Sequence, residues 1–439
     1  MPRNAGSQAL SFGKDSFVCV CNAIYCDSSP DMETPAEMTF HWYMSNKQNY
    51  RMEFTKGIMN NLKVNGSVIS VDTTTKYQTI LGFGAAFTDA AGINIKNLSL
   101  PSQENLIQSY FGDKGSRYNI GRVPIGGTDF STRSYSLDDF DMDKTLQHFA
   151  LTEEDLLYKI PFLQRAALLN PKLRLTGVPW SAPNASWLYL QRKTGILNPD
   201  NYQLFSDYII KFFDGYKEFG LGFLGISIGN EPHNAISAFV SKNLGPSLNA
   251  SKYKNTEILI LDDTLDSVFF YVPIVMNHED AKKFISGTAI HYHQQTVVTE
   301  ISLDKIHTSY PDKYILMTEA SQFFSDEICL GCWDNMDAYI RKMFKSMEHW
   351  VVGWMDLNLA LNQAGEPNLS NNKYDAAIIV DAENDRFFKQ PLFYVIQHFS
   401  RFVPPGSIRL HTRLNCQPFF DDLSILGWSG CQGFNHRRT

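Results

Sequence analysis

Several features that define other classes of protein are missing from this sequence. No run approaches about 18 consecutive apolar residues, which excludes a membrane-spanning helix. The first stretch, 1–15, lacks the apolar core of a signal peptide and, taken alone, predicts a cytosolic protein. No cluster of Lys or Arg stands out and the net charge is −7, which argues against nucleic acid as the main partner.

Two common ligand-binding motifs are present only in part. The segment 82–87, GFGAAF, begins like a dinucleotide-binding turn but lacks the third glycine and has no acidic partner about 20 residues on. Cys329 and Cys332 form one C-x-x-C pair, but no second pair or His pair follows at the spacing of a structural zinc site. We interpret both cysteines as loop residues, and we expect no cofactor.

The chain has seven cysteines, and three of them crowd together as Cys19, Cys21 and Cys26. This crowding is typical of a disulfide knot formed in an oxidising compartment. Buried free cysteines in a cytosolic protein are the alternative. Glycosylation sequons compatible with secretion lie at Asn65, Asn97, Asn184, Asn249 and Asn368.

Short apolar runs alternate with helical patterns through most of the chain. The segments 152–169 and 201–219 carry apolar residues at helical spacing, and Thr152 with Asp155 forms a helix-capping signal. Eight strand–helix units predict an α/β fold, a (β/α)8 TIM barrel. The eight strands are expected at 77–84, 118–125, 173–180, 221–229, 256–263, 285–293, 313–320 and 351–361.

The two ends of the chain have a different pattern. The segment 1–75 alternates in β fashion without a long helix, and 401–439 returns to short mixed pieces. We therefore expect a small β side domain built from both termini, beside a catalytic barrel over 76–400.

The segment 225–232, GISIGNEP, has two incompatible interpretations. Its G-x-S-x-G pattern matches the nucleophile elbow of serine hydrolases, with Ser227 as the nucleophile. A helix starting directly after Ser227 would, however, meet Pro232 in its second turn, where proline costs about 3 kcal/mol. Interpreted as a barrel strand, the segment makes Ser227 an interior spacer and places Glu231 at the carboxyl-terminal rim, where TIM-barrel chemistry occurs.

A second strand also ends in a glutamate, Glu319, which follows Glu231 by 88 residues (319 − 231). A closed barrel brings two such strand ends together across its mouth. Two facing carboxylates are what glycoside hydrolysis requires, since one protonates the leaving oxygen and the other attacks the anomeric carbon. The alternative is that each glutamate is only a capping or ion-paired residue.

His291 and His293 alternate on the sixth predicted strand, so both can face the mouth. In a metal-dependent hydrolase such a pair binds zinc, with Glu231, Glu319 or Asp356 as third ligand. In the metal-free alternative, which we favour, one histidine hydrogen-bonds a catalytic carboxylate and the other packs.

Long ordered motifs, from GFGAAFTDAAGINI near the start of the predicted barrel to FYVIQHFSRFVPPGS near 400, resemble the acid glucosylceramidases of glycoside hydrolase family 30. The resemblance covers roughly 15 to 408. It implies a retaining β-glucosidase that cleaves glucosylceramide in the lysosome. It also implies a saposin-type activator protein and peripheral contact with an anionic lysosomal membrane.

The resemblance also assigns residues position by position. Glu231 matches the acid/base, Glu319 the nucleophile, and Arg122 the arginine that supports the nucleophile. It further implies the pairing Cys21–Cys26. The remaining matches, all to positions that bind or surround the sugar, are Asp129, Trp180, Asn230, His291, Trp354 and Asn358.

Departures from the family pattern favour a second hypothesis. His293 replaces a tyrosine, Leu357 replaces a tryptophan, and the loop after Glu231 is short. From His411 onward the resemblance ends, and the last β strands of the family are absent. A catalytically inactive paralogue that still binds glycolipid or an activator protein is the alternative that these changes raise.

Overall fold

The barrel and its side sheets are described from a computed structural model. It describes residues 8–48, 50–60, 68–141, 143–183, 197–232, 237–292, 301–324, 327–372, 374–415 and 426–429. His293, and with it the prediction that it faces the mouth, lies outside these ranges.

Five strands precede the barrel in the part of the chain that the structure describes. The first two join a mixed side sheet, the next two pair with each other, and the fifth is a long exposed strand. They are β1 Gln8–Leu10, β2 Val18–Asn22, β3 Thr39–Met44, β4 Glu53–Ile58 and β5 Val68–Thr79.

Eight parallel strands then close into a barrel, as predicted. Each strand pairs with the next along the chain, and the eighth pairs with the first from Gly353–Gly82 to Asp356–Ala85. The strands are β6 Gly82–Ala86, β7 Ile120–Ile125, β8 Arg174–Pro179, β9 Phe223–Ser227, β10 Glu257–Thr264, β11 Ile285–Tyr292, β12 Tyr314–Ala320 and β13 Val351–Asp356.

Within the described residues, five further strands follow the barrel. Three of them, at 360–389, extend the sheet of β1 and β2, although they fall within the range predicted for the barrel. The fourth pairs antiparallel with β5, so strands from near both termini share a side sheet, as predicted. The five are β14 Ala360–Asn362, β15 Ile378–Asp381, β16 Arg386–Lys389, β17 Ile408–Asn415 and β18 Gly427–Ser429.

Helices surround the barrel, and none among the described residues is long and apolar enough to cross a bilayer. The predicted capping signal is formed, because Thr152 N and Oγ1 both donate to Asp155 at 3.2 Å. The helices are α1 Asp89–Lys96, α2 Leu100–Phe111, α3 Ile160–Leu169, α4 Tyr202–Glu218, α5 Ser237–Phe239, α6 Gly245–Ala250, α7 Val268–Met276, α8 Glu279–Lys282, α9 Ile301–Ser309, α10 Trp333–Glu348 and α11 Pro391–Phe402.

The inside of the barrel is filled with side chains. Ile120 of β7 and Leu259 of β10 belong to one buried cluster, although these strands are not neighbours in the sheet. Side chains of non-adjacent strands can meet only through the barrel interior, so the barrel is a packed core whose open site lies at its rim.

Cys21 and Cys26 are joined, as the resemblance implies, and Cys19 is buried and free. Cys329 and Cys332 are also joined, a pairing that the sequence analysis did not predict.

Gly84 marks a close approach between β6 and β7. A Cβ placed there would lie 1.7 Å from the carbonyl oxygen of Ile120. Because a backbone atom must then move, we expect Gly84→Ala to lower the free energy of unfolding by about 1–3 kcal/mol or more. Gly222→Ala is the control, since a Cβ there meets nothing within 4 Å. Equal urea midpoints for the two variants would contradict this packing.

Candidate active site

The two candidate acids lie at the same end of the barrel. Glu319 is the sixth of the seven residues of β12 and is 4% exposed. Glu231 follows the end of β9, and its backbone N–H donates to the carbonyl of Asp262 at 2.8 Å. The neighbouring Asn230 N–H donates to Pro179, the last residue of β8, at 2.9 Å. These bonds hold the segment after β9 between the carboxyl ends of β8 and β10.

Glu231 has a positive φ of 45°, in the left-handed region that non-glycine residues rarely adopt. Strain of this kind persists where surrounding bonds hold the backbone, often at functional sites. The side chain of Glu231 is 44% exposed, whereas that of Glu319 is 5% exposed. The two carboxylates therefore have different environments within one site.

The guanidinium of Arg122, from β7, links several elements of the mouth. Its Nη1 donates to Glu319, and its Nη2 donates to Asn230 and to Asp262 at 2.9 Å each. Burial acts to lower the pKa of Arg122, but Asp262 and Glu319 outweigh it and raise the pKa above its ordinary value. A permanent buried cation therefore faces the Glu319 carboxylate.

His291 connects the two sides of the site. Its Nδ1 lies 3.3 Å from Glu231 Oε1, and its Nε2 lies 3.0 Å from Asp262 Oδ1. Burial acts to lower the pKa of His291, but Glu319 and the two hydrogen-bonded carboxylates outweigh it and raise the pKa to about 9. The imidazole is therefore a cation at neutral pH, and both ring nitrogens donate.

Asp262 is a site residue that the sequence analysis missed. It is fully buried, and it accepts from Arg122, His291 and the hydroxyl of Thr318. Burial acts to raise its pKa, but Arg122 and His291 hold the pKa well below its ordinary value. The available signal was its position at a strand end, like that of the two glutamates.

Trp180 and Asp129 lie on neighbouring rim segments. The Trp180 ring centroid is 5.1 Å from the guanidinium carbon of Arg122, a cation–π contact. The carboxylate of Asp129 accepts from Ser370 Oγ at 2.9 Å and from Asn372 Nδ2 at 2.6 Å. Both side chains are half-buried.

Three other candidate site residues lie deeper in the protein. Trp354 has no exposed surface, and its indole N–H donates to the hydroxyl of Tyr339 on α10. Asp356 accepts from the same hydroxyl, so both side chains face the helix layer. Asn358 is also fully buried, and its carbonyl accepts from Thr88. Direct contact with a ligand is therefore not expected for Trp354.

The alternative with Ser227 as a nucleophile does not fit this geometry. Ser227 is 3% exposed, and its hydroxyl donates to the carbonyl of Gly229. The described residues 228–232 form no helix, so no nucleophile elbow follows the strand.

A cavity of about 790 Å³ lined by Asp113, Asn170 and Arg401 lies at the amino-terminal end of the barrel, away from both glutamates.

Two strand-end carboxylates in a TIM barrel, one ion-paired to arginine and one exposed, are consistent with the pair of acids that a glycoside hydrolase uses. Comparison of the chain with known protein families indicates the same class. Residues 80–403 match the glycosyl hydrolase family 30 TIM-barrel domain, and the chain belongs to that family.

Named relatives cover most of the chain. It is 36% identical to putative glucosylceramidase 4 of Caenorhabditis elegans, over 90% of this chain and 80% of that one. It is 35% identical to lysosomal acid glucosylceramidase of Mus musculus, over 91% and 83%. Among solved structures, SrfJ from Salmonella typhimurium matches with a TM-score of 0.77 at 26% identity, over 83% and 84%.

The raised pKa of His291 predicts how stability depends on pH. The folded state binds the proton more tightly than the unfolded state, whose ordinary histidine pKa is 6.5. This contribution, up to about 3 kcal/mol, is therefore fully present below pH 6.5 and is lost as pH rises through about 9. We expect the unfolding midpoint of the wild type to fall over this window relative to that of His291→Asn. If the unfolding midpoints of the two proteins change with pH in parallel, the raised pKa of His291 is contradicted.

Proposed function

We propose that this protein is a retaining β-glucosidase that hydrolyses glucosylceramide to glucose and ceramide. In this proposal Glu319 is the nucleophile and Glu231 is the general acid/base. The observation that carries the assignment is the asymmetry of the two carboxylates, since Glu319 is buried against Arg122 and Glu231 is half-exposed beside His291. Different environments are how two carboxyl groups take different roles in one site.

The first step forms a glucosyl–enzyme ester. The Glu319 carboxylate attacks the anomeric carbon while Glu231 gives its proton to the glycosidic oxygen, and ceramide leaves as the alcohol. The cation of Arg122 favours the carboxylate form of Glu319, which a nucleophile requires.

The second step releases glucose. Glu231, now a carboxylate, takes a proton from water as the water oxygen attacks the anomeric carbon, and Glu319 leaves as a carboxylate. The exposure of Glu231 gives water a path to this base. Neither step uses a metal or another cofactor.

Other residues bind the sugar or hold the acids in this proposal. Trp180 offers an apolar ring to the C–H face of glucose, and Asp129 and Asn230 accept or donate hydrogen bonds to its hydroxyl groups. His291 positions Glu231 through their 3.3 Å contact. Asn358 supports the rim from below, since its side-chain carbonyl accepts a hydrogen bond from the hydroxyl of Thr88 at the start of α1.

The partners and the compartment are part of the same proposal. Glucosylceramide as substrate and the lysosome as location are supported by the relatives named glucosylceramidase, one of them lysosomal. The saposin-type activator and the contact with an anionic membrane follow from the family resemblance.

Replacing the nucleophile tests the catalytic assignment. We expect Glu319→Gln to reduce hydrolysis of an aryl β-glucoside to background. Its unfolding midpoint should fall, because Arg122 loses one buried charge partner, but circular dichroism should show it folded at the assay temperature. Glu327→Gln, an exposed carboxylate on the loop after β12, is the matched control and should keep full activity. Substantial turnover by Glu319→Gln would refute the assignment, and an inactive wild type would support the alternative of a glycolipid-binding paralogue.

The acid/base role predicts a dependence on the leaving group. Glu231→Ala should lose about 10²–10⁴-fold in kcat/KM on a glucoside with a poor leaving group, because the departing oxygen must then leave unprotonated. A dinitrophenyl glucoside needs no proton, so its first step should be nearly preserved, and azide should restore turnover by attacking the ester. An equal loss on both substrates would argue against this role.

A further inference from the structure

The glycosylation sequons of the chain lie in different surroundings. The structure describes three of them, at Asn97, Asn249 and Asn368, while Asn65 and Asn184 lie outside the described residues. An N-linked glycan is bulky and must extend into solvent, so a sequon in a folded protein needs an accessible asparagine as well as the right letters. The three asparagines can therefore be compared by exposure and by the hydrogen bonds of the nitrogen that would carry the sugar.

Asn97 lies at the surface, directly after α1. Its backbone N–H donates to the carbonyl of Ile93 at 3.1 Å and closes the helix. The side chain is exposed, and its amide makes no hydrogen bond to any described residue. The next two residues fix the turn, because Leu98 is buried and the hydroxyl of Ser99 donates to Asp385 at 2.6 Å. Asn97 is therefore an accessible amide on a well-anchored turn.

Asn249, in the last turn of α6, has the same kind of surroundings. Its side chain is exposed, and within the part of the chain that the structure describes its amide has no hydrogen-bond partner. Leu248 beside it is buried, and the hydroxyl of Ser251 donates to the carbonyl of Leu248 at 2.8 Å. In both sequons a buried leucine anchors the backbone and leaves the neighbouring asparagine at the surface.

Asn368 differs from the other two because its amide is already engaged. It is half-buried, and its Nδ2 donates to the carbonyl of Asn372 at 2.6 Å. Its Oδ1 accepts from the backbone N–H groups of Ser370 and Asn372 at 3.1 and 3.2 Å. The same turn presents the side chains of Ser370 and Asn372 to the carboxylate of Asp129. A sugar on this nitrogen would disrupt both the turn and the contacts of Asp129.

The two exposed sequons lie away from the mouth. In a (β/α)8 barrel each strand ends at the mouth and the helix after it runs back toward the other end. Asn97 follows the far end of α1, and Asn249 lies just before the chain enters the amino-terminal end of β10. Asn368 is bound to the mouth through its turn. Glycans on the first two would leave the mouth clear.

We propose that Asn97 and Asn249 carry N-linked oligosaccharides and that Asn368 carries none. In the transfer, the amide nitrogen forms a bond to the anomeric carbon of a lipid-linked oligosaccharide, the bond from that carbon to the lipid pyrophosphate breaks, and the amide loses one proton. This inference rests on the lysosomal location in the proposed function, because the transfer takes place in the secretory pathway. It does not depend on the hydrolysis of glucosides.

The experiment maps the glycans on folded protein. The full chain is secreted from an animal cell line behind a cleavable signal peptide, and a peptide N-glycosidase then converts each asparagine that carries a glycan to aspartate. Mass spectrometry of the peptides should show conversion at Asn97 and Asn249 and an unchanged Asn368. Asn97→Gln and Asn249→Gln should each remove one glycan from the intact mass, whereas the matched control Asn368→Gln should remove none.

An unmodified Asn97 or Asn249 in the secreted protein, or a glycan on Asn368, would overturn the proposal. Hydrolysis of an aryl β-glucoside by the same preparation separates this inference from the proposed function. An inactive protein with the expected glycans supports the inference and contradicts the proposed function. An active protein without these glycans refutes the inference and leaves the proposed function in place.

Discussion

The buried guanidinium of Arg122 is the interaction on which the rest of the site depends. It bonds Glu319, Asp262 and Asn230, which come from three different segments of the rim. Breaking a buried charge pair leaves an uncompensated charge that costs about 3–5 kcal/mol. The bonds that stabilise the mouth therefore also hold Glu319, the candidate nucleophile, beside the buried cation of Arg122.

Closure of the barrel brings Arg122 and its partners together. Arg122 on β7 and Glu319 on β12 are far apart in sequence and are not neighbours in the sheet, yet they meet because parallel strands all end at one rim. Asp262 then couples Arg122 to His291, and His291 reaches Glu231. One continuous set of charged hydrogen bonds thus connects both candidate acids. A change in the charge of one carboxylate therefore alters the electrostatic environment of the other.

Much of this could be predicted from sequence, and the exceptions have physical reasons. The eight strands are continuous apolar runs, and the barrel makes their ends converge, which located Glu231 and Glu319. Arg122 was assigned from the family resemblance. The direction of Trp354 could not be predicted, because all six residues of β13 are buried and no polar alternation marks its faces. Asp262 lies beside Asp263 at the end of a predicted strand, and the sequence does not show which of the two is buried against Arg122.

The most direct test of the account is covalent labelling with a mechanism-based cyclitol epoxide, followed by peptide mapping of the intact chain. The account predicts one label per molecule, on the peptide that contains Glu319, with hydrolysis lost in step with labelling. A label on Glu231 or Asp262, or sustained turnover of an aryl glucoside by protein that takes no label, would contradict it.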